Sequence, residues 1–236
     1  MTMRHSLWRE LVYPVAVLSC IGAGLLAAWE FVLTARYGVY STLATMIEKG
    51  EAVSPAAVTA YAAKADRLPA TCRSDLLNAA IAVSMRDVDQ MRTIGDQVAW
   101  SQALRALQPR LEQGLACVPT DGMLWERLAV VRWFLGGTAH EQAQLLTTSQ
   151  AYAPRELEVV QVRIVQWKRV TPAVIDIARD ALRSDLSVTL LYAPPQAVKA
   201  MFADAPPFIA ALFKDAAIGM SPERRAALSK ADIALP

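Results

Sequence analysis

The sequence predicts an all-α chain in which one membrane-spanning helix is followed by a stack of antiparallel helical hairpins. Three observations carry this expectation. Residues 11–29 hold no charged side chain and are dominated by Leu, Val, Ala and Ile. Farther on, Ser54-Pro55, Thr171-Pro172 and Ser221-Pro222 each set a capping hydroxyl before a proline at the first helical position. No segment shows a sustained period-two alternation of the kind a half-buried strand requires.

The apolar run comes first in the chain. Nineteen residues at about 1.5 Å each span about 28 Å, close to the roughly 30 Å of a bilayer's hydrocarbon core. Trp8 and Trp29 bracket the run as interfacial anchors. Arg4 and Arg9 precede it and Glu30 follows it. The positive-inside rule then sets the N-terminus in the cytoplasm and the remainder outside. The run is longer than a signal peptide's core, and no A-x-A site follows it, so the expectation is an uncleaved anchor. Leu33, Tyr37, Tyr40, Ala44 and Ile47 recur at helical spacing beyond it. They predict that the helix continues as a stalk to about Lys49 and ends at Gly50. The organisation expected is residues 1–35 as cytoplasmic start and anchor, 36–50 as helical stalk, and 51–236 as an outer helical domain.

Helix punctuation within that domain places helices near 54–67, 73–84, 88–117, 121–135, 139–152, 155–169, 172–184, 195–203, 206–217 and 221–230. Thr138-Ala139-His140-Glu141 has the form of a capping box, directly after Gly136-Gly137. Pro119 and Pro154 each close an Ala-rich helix, and Trp125-Glu126-Arg127-Leu128-Ala129 lies between them. Over roughly 120–154 this resembles a tetratricopeptide unit, in which a Trp, a Leu three later and a small residue next precede a proline that closes the second helix. The resemblance implies stacked hairpins that present a groove to a peptide or partner protein. By matching that unit, the groove-facing residues it implies are Glu126, Val130 and Trp133, with Arg163 added from the following hairpin.

Charge and motif searches narrow the function classes. The net charge of +2 and the lack of a dense basic run leave no electrostatic footprint for nucleic acid. Two histidines, His5 and His140, give little material for a catalytic triad, and no G-x-S-x-G, H-E-x-x-H or P-loop occurs. No catalytic residue, metal ligand set or cofactor is expected. Cys72 lies before one expected helix and Cys117 at the end of a neighbour. In an oxidising compartment they would form a disulfide, the alternative being two buried thiols.

The leading functional expectation is a scaffold or assembly factor in a bacterial inner membrane, its main domain periplasmic, binding a protein partner. An accessory subunit of a larger membrane complex is the second reading, and an envelope enzyme the third.

Overall fold

The apolar run and the stripe after it form one unbroken helix, α1 (Met3–Glu48). The computed structural model describes residues 3–65 and 72–233, with side chains described from residue 12 onward except at 94. Among the described residues α1 is the one helix long and apolar enough to cross a membrane, with a mean hydropathy of 1.9 in a window that no other described residue covers. Trp29 is exposed at the end of this half. The side chain of Trp8 lies outside the described residues.

Beyond Trp29 the surroundings of α1 change. Leu33, Tyr40, Leu43 and Ala44 are buried, and the Tyr40 hydroxyl donates to the Tyr61 carbonyl at 2.9 Å. The helix stops where expected. Gly50 takes φ +68°, Glu51 N–H bonds the Met46 carbonyl and Gly50 N–H that of Ile47. That pairing is a Schellman motif, which satisfies carbonyls the helix end leaves open.

Eleven more helices follow among the described residues: α2 (Pro55–Lys64), α3 (Ser74–Ile94), α4 (Gln97–Cys117), α5 (Gly122–Phe134), α6 (Ala139–Tyr152), α7 (Leu157–Trp167), α8 (Pro172–Ile177), α9 (Arg179–Tyr192), α10 (Pro195–Phe202), α11 (Pro207–Ala216) and α12 (Pro222–Ser229). They run up and down in turn, α8 and α9 sharing one descent with a break at Ala178. From α2 to α6 neighbours in sequence pack on each other, most closely α3 on α4 and α5 on α6, while α1 lies along α3 and both α7 and α11 pack on α9.

Two expected boundaries were misplaced. The helices expected at 73–84 and 88–117 divide instead at Gly95-Asp96. Gly95 adopts φ +84°, and the Asp96 carboxylate accepts from Val98 and Ala99 N–H. A left-handed glycine followed by a capping aspartate is a stop–start signal, and it sets the boundary. The helix expected over 172–184 reaches Tyr192, because the break at Ala178 redirects the chain without ending the descent.

Close approach between helices rests on small residues. A Cβ on Gly122 would stand 2.4 Å from that of Ala153, and one on Gly114 would press Leu124 and Ile81. Leucines on three turns of α4 (Leu104, Leu107, Leu111) join Leu146, Ile164, Trp167, Leu182 and Leu186 in the continuous core. Cys72 and Cys117 are disulfide-bonded with Cα atoms 5.1 Å apart. Closing the 45-residue loop stabilises by about 4 kcal/mol in the chain-entropy description.

Candidate binding groove

Four ascending helices, α1, α3, α5 and α7, line a groove of about 500 Å³. Each reaches it by local sequence logic. The stalk contributes Ser41, Thr45 and Glu48, the side of α1 next to the stripe buried on α3. From α3 come Asp75 and Asn78 in its first turns. Asp121, the N-cap of α5, accepts from Leu124 N–H at 3.0 Å and stands beside Met123 and Arg127. The start of α7 adds Glu156 and Glu158.

The groove is therefore acidic. Five carboxylates, Glu48, Asp75, Asp121, Glu156 and Glu158, share the wall with one guanidinium, Arg127. Burial lowers the pKa of Arg127, while the charges of Glu126, Asp121, Glu48 and Glu158 oppose that shift. Asp75 is held below the usual carboxylate range chiefly by its hydrogen bonds from Arg73, at 2.6 and 3.2 Å. Arg73 reaches on to Glu30 at 2.7 Å and Thr34 at 3.1 Å, so one guanidinium joins the groove's wall to α1. Asn78 donates to Asp121 at 3.4 Å, and its Oδ1 is buried with no hydrogen-bond partner.

Such a wall can attract and orient a cationic group. Among the described residues no cluster of His, Cys, Asp and Glu is arranged to hold a metal. His140 is exposed in the first turn of α6, outside the groove lining.

Comparison with known proteins gives no match to a family model, a curated protein sequence or a solved structure.

The residues expected to face a groove are placed differently. Glu126 and Arg163 are buried, at 1% and 0% exposure, so neither lines an open surface. Val130 and Trp133 are half-buried, and Trp133 packs against the core with its ring edge-on to Phe134. The correction is one of helical phase. Glu126 lies one residue, about 100° of rotation, from Arg127, which does line the groove. Gly122 fixes that phase, because its bare face must meet Ala153. The convergence of the carboxylates at helix starts was not legible, because it depends on how far each helix is displaced along its neighbour.

Arg163 has a structural task. Its Nε and Nη2 form a two-pronged pair with Asp185 at 2.9 and 2.7 Å. Its remaining donors reach the Ser149 hydroxyl and carbonyl and the Ala153 carbonyl. Trp167 Nε1 donates to the same Asp185 at 2.9 Å, and Ser149 donates to the Gly122 carbonyl. One buried ion pair thereby ties α5, α6, α7 and α9 together. Glu126 differs: its Oε1 has no hydrogen-bond partner, and burial pushes its pKa up to about 7.

Proposed function

We propose that this chain is a membrane-anchored scaffold or assembly factor that holds a basic segment of a protein partner in the groove between α1, α3, α5 and α7. The observation that carries the reading is that the groove crosses four successive ascending helices, one of them the continuation of the anchor itself. A bound segment would thus be held at a set height above the bilayer. Stacked hairpins with a small residue at each close approach are what the tetratricopeptide resemblance implies, and such stacks bind extended segments along the face their ascending helices line. The sign of the wall supplies the chemistry, since like charge repels an acidic competitor as effectively as opposite charge recruits a basic one. In this reading the N-terminus is cytoplasmic, the domain lies in the periplasm of a bacterium, and the role is binding without catalysis.

A photo-crosslinker at Met123 in the full-length protein, expressed in its native membranes, tests the proposal. It should capture a discrete protein. Charge reversal at the exposed Glu156 and Glu158 (E156K, E158K) should reduce that capture about tenfold or more, while E223K leaves it unchanged. Equal capture by the reversed variant would refute the groove reading.

The accessory-subunit reading draws on the anchor. Gly22 and Gly24 have nothing within 4 Å of a Cβ position, leaving room for another helix. Stoichiometric co-purification lost in G24L, with crosslinking at Met123 intact, would favour that reading.

A further inference from the structure

The C-terminal helices hold a cavity of their own, apart from the acidic groove. α10 rests on α7 and α11 on α9, and the two are not among the helix pairs that pack closely on each other. Between them lies a slot of about 340 Å³, its lining completed by Asp232 and Ile233 past the end of α12. Residues four apart on each helix share its walls, Val198 with Phe202 on α10 and Ala210 with Lys214 on α11. Ala205 and Ala210 line it with single methyl groups, which leaves the space open.

The slot is apolar within and charged where it meets water. Val198 and Phe213 are buried, and Phe202 meets Phe213 with ring centroids 4.3 Å apart. Among the described residues that line it, the polar side chains are Lys199, Lys214 and Asp232, all three exposed, with no hydroxyl, amide or imidazole. Two carboxylates on this side are already taken. Asp232 pairs with Lys199 at 3.2 Å, and Asp204 with Lys168 at 2.6 Å. Lys214 forms no ion pair among the described residues.

We infer that this slot binds a single-chain monocarboxylate, its apolar tail between α10 and α11 and its carboxylate on Lys214. Volume, polarity and charge each select that ligand. The cavity is at the small end of the roughly 300–1,000 Å³ of small-molecule sites, room for one chain and not for the two of a diacyl lipid. Sugars, nucleosides and peptides carry hydrogen-bonding groups around their whole outline, and this lining would leave those groups unmatched. An anionic head suits the one lining ammonium that no carboxylate among the described residues neutralises. A cationic head would meet two ammoniums and a carboxylate that is already paired. The slot shares no lining residue with the groove between α1, α3, α5 and α7, so a result at one does not bear on the other.

The test uses the full chain in phosphatidylcholine nanodiscs and a decanoate analogue with a diazirine near the end of its tail. Photo-crosslinking, trypsin digestion and mass spectrometry read the share of label carried by residues 200–213, the stretch between Lys199 and Lys214. Unlabelled decanoate should lower that share saturably, and replacing roughly a third of the lipid by phosphatidylglycerol should not. The methyl ester of the probe, with the same tail and no charge, should label the stretch about tenfold less. Lys214→Glu should reduce labelling by the acid to a similar degree, whereas Lys214→Arg should label as the parent does. Ala210→Leu, which fills the slot from α11, should also lose the label. Equal labelling by acid and ester, or by the parent and Lys214→Glu, would overturn the seat on Lys214. Label unchanged in Ala210→Leu would put the tail outside the slot and overturn the site. Displacement by phosphatidylglycerol would overturn the single-chain assignment.

Discussion

Two buried polar centres sit a turn apart on α7 and behave in opposite ways. At Arg163 every strong donor is matched: two bonds to Asp185, two to Ser149 and one to Ala153, with Trp167 completing the carboxylate. Three residues later Gln166 is equally buried, yet both of its side-chain polar atoms lack a hydrogen-bond partner. The same holds for Gln142 on α6, the Thr189 hydroxyl on α9 and one oxygen of Glu126 on α5. The same helices thus contribute to a closed network and to unmatched groups. Burial alone does not make a polar group stabilising. The first centre specifies how α5, α6, α7 and α9 fit, because its geometry is satisfied in one arrangement. The second holds free energy that substitution can release.

The largest expected effect breaks the closed centre. Asp185→Ala leaves the Arg163 guanidinium buried and unpaired, and should cost roughly 3–5 kcal/mol in urea unfolding of the detergent-solubilised full chain. The double replacement Arg163→Met with Asp185→Leu should recover most of that loss, since removing both charges removes the unpaired one. A double variant as weak as the single would mean that the pair contributes through more than mutual neutralisation.

Next comes Glu126, where pH sharpens the contrast. Its folded-state pKa of about 7 exceeds the ordinary 4.5, so the folded chain binds the extra proton between those values. Stability from this group therefore falls as pH rises from about 4.5 to about 7, by up to about 3 kcal/mol. Glu126→Gln should be the more stable protein at pH 8 and lose that advantage by pH 4.5. Parallel stability curves for parent and variant across that window would show that the carboxylate is solvated in the folded state.

The smallest effect is expected at Gln166. Gln166→Leu replaces an unmatched amide by an apolar group of similar length and should stabilise by about 1 kcal/mol. A loss of similar size would place Gln166 with the matched groups, as the ligand of an internal water.

Much of the architecture was legible from neighbours a few residues apart. The long apolar helix and its continuation, the stop at Gly50 and the proline-led helix starts all follow from composition and capping. Thr138 caps α6 through Glu141 N–H as its box predicts. The Glu141 carboxylate, however, is taken by Arg132 of α5 at 2.5 Å. A local rule identified the helix start, and a partner from the preceding helix decided what the glutamate does. The pairing of Cys72 with Cys117 was also within reach, because two cysteines at adjoining helix ends leave one bridge to make.

The groove was not legible in the same way. The resemblance selected Glu126, Val130, Trp133 and Arg163, whereas the wall is built by Met123, Arg127 and the carboxylates at helix starts. Which arc of an amphipathic helix faces inward is set by the periodicity of its apolar residues, a property of the sequence itself. Which polar residue at the edge of that arc is buried, and which reaches water, depends on helix rotations of less than one residue. Those rotations follow from contacts such as Gly122 against Ala153, and from an aspartate 22 residues away from Arg163. The chain's local order therefore determined most of the helices, their capped ends and the long apolar run. Only tertiary packing decided that Arg163 is a buried tie and that five separate carboxylates form one wall, because both depend on distances between segments that no local pattern encodes.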